Sequence, residues 1–106
     1  MAVQRARTPE EYVDWVNQAI YEIEELRLSA EYDMEDMGAS LGFVDELEKR
    51  VRELHAAMGE GSYRFVDQDL PFMELVDKYD TNALPFRYLL RQINETHRKG
   101  LDVGDT

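Results

Sequence analysis

Apolar side chains return every three or four residues across most of the first sixty positions, and that spacing is the tightest constraint on what this chain can become. Tyr12, Trp15, Val16, Ala19, Ile20, Ile23, Leu26, Ala30, Met34 and Met37 form one run. Leu41, Val44, Leu47, Val51, Leu54 and Met58 form a second, with polar residues filling the gaps in both. A period near 3.6 lines these groups along one stripe of a helix, whereas a half-buried strand would alternate strictly. The first helix has a clear start at Thr8-Pro9-Glu10-Glu11. The Thr8 hydroxyl can cap the first free N–H groups, Pro9 loses no hydrogen bond at the first helical position, and Glu11 completes a capping box. Both glutamates also suit the positive end of the helix dipole.

Gly38-Ala39-Ser40-Leu41-Gly42 joins the two runs, and two readings compete there. In the first, Gly38 ends one helix and Ser40 caps the next, giving an antiparallel hairpin. In the second, one helix runs straight through. The heptad phase Val16, Ile23, Ala30, Met37, Val44, Val51, Met58 is unbroken across the junction, and Glu31, Asp33, Glu35 and Asp36 are poorly placed at the negative end of a helix. Against the continuous form, two interior glycines cost roughly 1 kcal/mol each relative to alanine. A helix of some fifty residues would also reach about 75 Å. The hairpin is the expected form.

Gly59-Glu60-Gly61-Ser62 stops the second run. Residues 63–70 are the one stretch that reads as a strand, but a lone strand has no partner, so an ordered loop packed by Tyr63, Phe65 and Val66 is expected. Pro71 opens a short helix carrying Phe72, Met73, Leu75, Val76 and Tyr79. Asp80-Thr81-Asn82 offers the next cap, Pro85 is tolerated in the following first turn, and the last helix buries Phe86, Leu89, Leu90 and Ile93 before Gly100. The sequence therefore predicts an all-α fold: a small helical bundle built on a long helical hairpin, with two shorter C-terminal helices. Residues 1–106 read as a single domain, with 1–7 and 101–106 as frayed tails.

Charge narrows the function classes. The net charge of −11 is uneven: residues 9–48 hold thirteen acidic side chains and one arginine, while residues 49–106 hold ten acidic and nine basic ones. So acidic a half repels phosphate backbones and anionic headgroups, which argues against direct nucleic-acid or membrane binding. The chain contains no cysteine, so thiol nucleophiles, disulfides and Cys-based metal sites are excluded. With neither an apolar leader stretch in the first residues nor a run approaching the roughly 20 apolar residues of a membrane span, a cytoplasmic protein is expected.

Each candidate for chemistry has a plainer explanation. Gly38-Ala39-Ser40-Leu41-Gly42 matches G-x-S-x-G, but the nucleophile elbow needs a strand before it, and here the preceding residues are helical and acidic. Aligning Asp33, Glu35 and Gly38 to a calcium loop leaves Val44 where the bidentate glutamate belongs. The residues three before His55 and His97 are Arg52 and Asn94, not the glutamates of a carboxylate di-metal bundle. Both histidines read as partly buried helix residues. Arg87, Arg91 and Arg98 fall on one side of the last helix and are expected to pair with the acidic first helix, within one chain or across a dimer.

The functional expectation is a non-enzymatic protein–protein interaction module that self-associates or docks on another protein, a basic one among the candidates, and carries no cofactor. Tyr21, Arg87, Arg91 and Arg98 form its candidate interaction surface, Tyr21 because it stands beside the main apolar stripe. An acidic bundle holding a divalent metal or cationic ligand is the alternative. An acidic nucleic-acid mimic that occupies a basic protein is a third.

Overall fold

Helix α1 (Pro9–Tyr32) starts at the capping box. The Thr8 hydroxyl accepts the Glu11 N–H at 3.0 Å, and the Glu11 carboxylate reaches back to the Arg7 N–H at 2.8 Å, one residue earlier than the ideal box. The structure is a computed structural model describing residues 3–32, 37–78 and 84–102, with the side chains of 29–43 outside the description. Helix α2 (Met37–Glu60) packs along α1 as a hairpin. Two short helices follow, α3 (Met73–Lys78) and α4 (Arg87–Lys99), and among the described residues there is no strand. No described helix is long and apolar enough to cross a membrane.

The hairpin replaces the continuous-helix alternative, and its reversal comes earlier than expected. The second helix is already under way at Met37, so Gly38, Ser40 and Gly42 lie inside its first turns rather than between helices. Interior glycines cost about 1 kcal/mol each, an amount that burial of α2's apolar stripe readily offsets. Ser40 is thus on a helix, and among the described residues no strand precedes it, so the context a nucleophile elbow requires is not there. The acidic positions 33–36, including the candidate calcium ligands Asp33 and Glu35, lie outside the described residues, as do Tyr79 and the expected cap at 80–82.

The core follows the sequence period. Tyr12, Val16, Ala19 and Ile23 of α1 and Val44, Leu47, Val51 and Leu54 of α2 are buried, spaced by four and three residues in alternation. Trp15 is only half-buried at the edge of this core. Arginines brace the hairpin from outside. Arg27 of α1 pairs with Asp45 and Glu48 of α2, and Arg52 of α2 meets Glu24 of α1 and its own helix's Glu48, both at 2.9 Å. Burial works to raise the Glu48 carboxyl, but the hydrogen bonds and charges of Arg52 and Arg27 outweigh it and hold Glu48 below the usual carboxylate range.

α2 ends in a Schellman motif. Gly61 adopts φ +78°, its N–H bonds the Met58 carbonyl at 3.4 Å, and the Ser62 N–H bonds the Ala57 carbonyl at 3.0 Å. The chain beyond it runs irregularly through residues 62–70, as the lone-strand argument predicts, although Phe65 and Val66 remain largely exposed rather than packed. Leu70, Phe72, Met73, Val76, Leu84 and Phe86 then join Leu90 and Ile93 of α4 in the same core.

The described parts of the expected frayed tails are tied down instead. Ala6 is fully buried, its N–H donates to Thr96 Oγ1 at 3.0 Å, and its carbonyl accepts the Asp102 N–H at 2.7 Å. Arg5 donates to the carbonyls of Lys99 and Gly100, both at 3.1 Å. The two chain ends satisfy each other's backbone groups across the end of α4, a pairing between residues nearly a full chain length apart.

Candidate functional site

α4 is the only described helix that turns polar side chains into the core. Asn94, Thr96 and His97 are buried beside Leu90 and Ile93; Thr96 holds the N-terminal segment, and Asn94 and His97 hold two parts of the irregular chain at 62–70. Asn94 Oδ1 accepts the Leu70 N–H at 2.7 Å while its amide donates to Asp69 Oδ1 at 3.0 Å. Thr96 Oγ1 takes the Ala6 N–H and donates to the Gln92 carbonyl at 2.9 Å. His97 accepts the Val66 N–H at its carbonyl, at 3.2 Å, and meets the Tyr63 hydroxyl at Nδ1, at 2.7 Å. Chain outside helices has backbone donors without neighbours in a ladder, and these side chains supply the missing partners. No buried side-chain nitrogen or oxygen among the described residues is left unbonded.

The contact at His97 belongs to a relay. Tyr63 Oη lies 2.7 Å from Tyr12 Oη, and the Tyr12 hydroxyl donates to the Ile93 carbonyl at 3.3 Å. One placement of hydrogens satisfies all three contacts. A carbonyl only accepts, so Tyr12 spends its proton on Ile93. Tyr63 must then donate to Tyr12, and the remaining hydrogen comes from Nδ1–H of His97. The relay therefore selects the Nδ1–H tautomer of a neutral imidazole. Burial lowers the His97 pKa below its ordinary value, which favours that neutral form. Burial also pushes Tyr63 up to about 12 and raises Tyr12 further still. Both phenols therefore stay protonated at neutrality. Their role is to fasten α1, the 61–72 connector and α4 together.

Above the relay opens a groove of about 230 Å³ lined mainly by Pro9, Tyr12, Val13, Met58, Phe65 and Leu101. The Tyr12 and Phe65 rings stack with centroids 5.8 Å apart, and Tyr63 meets both edge-on at 5.7 and 5.3 Å. The lining is largely apolar. Among the described residues no three His, Asp or Glu side chains come together as a metal site.

The residues singled out from sequence do not form one patch. Tyr21 is 55% exposed on α1. Arg87 instead donates from Nε to the Val76 carbonyl at 2.9 Å, tying α4 to α3. Arg98 pairs with Asp67 at 3.1 Å and Asp69 at 3.5 Å in the connector, and Lys99 pairs with Glu95 at 2.7 Å on its own helix. Arg91 stands exposed with no ion pair among the described residues. The expected intrachain pairing of the acidic first helix with the basic last one is thus corrected: none of the described ion pairs joins α1 to α4, because Arg87 is drawn to the Val76 carbonyl and Arg98 to Asp67 and Asp69. The acidic residues Asp33 and Asp36 lie outside the described residues. The sequence reading missed the relay altogether. Tyr12, Tyr63 and His97 are separated by 51 and 34 residues, and no local spacing announces such a set. Asn94 and His97 did leave a signal, being polar at positions four and seven after Leu90 on the helix's buried face.

Comparison of the chain with protein-family models, curated proteins and solved structures gives no match.

Proposed function

We propose that this chain is a non-enzymatic protein–protein interaction module, a helical scaffold that offers apolar and acidic surface to another protein chain. The observation that carries this reading is where the large apolar groups lie. Tyr21, Leu28, Phe65, Val66 and Tyr88 are 45–59% exposed, while the buried polar groups are spent on internal fastening. Single exposed apolar residues are ordinary on any protein surface. Here, however, Tyr21 and Leu28 recur on one helix face and Phe65 walls a groove, and aromatic anchors of this kind concentrate in the centres of interfaces. The groove's own hydroxyls lie in the relay, which disfavours a catalytic role for it.

Sedimentation velocity and native mass spectrometry on the protein purified from its own host, without chelators, test the proposal. The expected result is a species heavier than one chain, containing either a second copy or a retained protein. A chain that stays monomeric at every concentration, and that yields no protein adduct on crosslinking in its host cells, overturns it.

A further inference from the structure

The exposed face of α1 narrows the kind of partner. Tyr21 and Leu28, at 55% and 59% exposure, are seven residues apart, and one heptad brings two side chains to within about 20° of the same direction on a helix. Both lie half a turn away from Ala19, which is fully buried in the hairpin core, so they point away from the rest of the molecule. Asp14, Gln18 and Glu25 stand beside them, and Glu22 lies about a quarter turn round toward the core. Glu25 accepts the Tyr21 hydroxyl at 3.3 Å and Glu22 accepts the Gln18 amide at 2.8 Å. Among the described residues no cation meets Asp14, Glu22 or Glu25, whereas Glu24 on the neighbouring flank is taken by Arg52.

We infer that this face docks a basic amphipathic helix, one with apolar residues a heptad apart and lysine or arginine beside them. The inference rests on the interaction-module reading and gives it a partner chemistry. Two apolar knobs seven residues apart match the repeat by which helices pack side by side. The flanking carboxylates supply complementarity to cations and set orientation more than affinity. The same charges argue against a second copy on this face, because a two-fold contact would press carboxylates against carboxylates. They equally disfavour nucleic acid and anionic lipid.

The test uses the full chain and a fluorescently labelled synthetic peptide with leucines at successive heptad positions flanked by lysine and arginine. A scrambled peptide of identical composition is the control. Anisotropy titration is expected to show saturable one-to-one binding that weakens with added salt, with the scrambled peptide at least about tenfold weaker. The double variant Tyr21→Ser, Leu28→Ser should lose at least about tenfold in affinity while its circular dichroism melt stays unchanged, both side chains being exposed. If that variant does not fold, Glu22→Lys with Glu25→Lys serves in its place, with the same loss expected. Equal binding of the scrambled peptide, indifference to the substitutions, or no binding at all overturns the inference. Crosslinks from a native complex that map to the groove or to α4 instead of α1 also overturn it, and leave the interaction-module reading standing. A partnerless monomer in the sedimentation experiment removes both.

Discussion

The two halves of this molecule are held together by opposite means. Along α1 and α2 the buried groups of the seam are apolar, repeated at helical spacing, and the charges sit outside as ion pairs. Around α4 the connector and both chain ends are fastened by buried hydrogen bonds from Asn94, Thr96, His97, Tyr63 and Tyr12. The reason is geometric. Helices satisfy their own backbone, so two of them need only exclude water between their apolar faces. Irregular chain satisfies little of its own backbone, so packing it against a core requires side chains that accept its N–H groups. The hairpin is therefore tolerant of detail and sensitive to volume, and the α4 half is the reverse.

Four outcomes would sharpen or break that contrast. The largest effect is expected from Leu47→Ala, which empties a fully buried position in the seam. It should cost about 2–5 kcal/mol and lower the melting temperature by roughly 8–40 °C, at roughly 4–8 °C per kcal/mol in a domain of this size. Asn94→Ala comes next, at about 1–3 kcal/mol, because it strands the buried Leu70 N–H. Its signature is local. Hydrogen exchange should quicken at Leu70 while the amides of residues 44–54 keep most of their protection, and uniform loss across both regions would show that the halves are not separable.

Tyr63→Phe removes a single hydroxyl from the relay and should cost about 0.5–1.5 kcal/mol. It also tests the proton order. Nitrogen-15 shifts of wild-type His97 above neutral pH should report the Nδ1–H tautomer, and the variant should lose that bias. A wild-type Nε2–H tautomer would mean that the relay runs the other way.

The smallest effect is the pH dependence of His97. Its folded pKa is below the unfolded value of about 6.5, so the unfolded chain binds the proton more readily and stability rises with pH through this window. The His97 contribution is complete above about pH 6.5 and is lost as pH falls through the lowered folded value. The melting-temperature advantage of wild type over His97→Gln should therefore shrink on mild acidification. Glu48 also has a lowered pKa and also loses its contribution on acidification, but below the usual carboxylate range, so the two steps should separate. An advantage over His97→Gln that holds constant from about pH 7.5 to 5 would mean that His97 is not desolvated on folding.

By itself the sequence determined the elements. Apolar spacing specified α1 and α2, Thr8 and Glu11 specified where α1 starts, and Gly61 and Gly100 specified where α2 and α4 stop, because each of these depends on residues within one or two turns. The lone 63–70 stretch was legible as a loop because a strand without a partner cannot satisfy its backbone. The reversal of the hairpin was misplaced by several residues, since the unbroken heptad phase allows the second helix to start early and packing along its length outweighs the local preference of glycine for ends. Tertiary structure alone decided which polar groups go inside. That Thr96 would take the Ala6 N–H, that the two ends would pair, and that Arg87 and Arg98 would be drawn into internal contacts are facts about residues 11 to 96 positions apart. A hydrogen bond needs its partners within about 3 Å. Periodicity describes which face a residue occupies, and only the folded chain describes what meets it there.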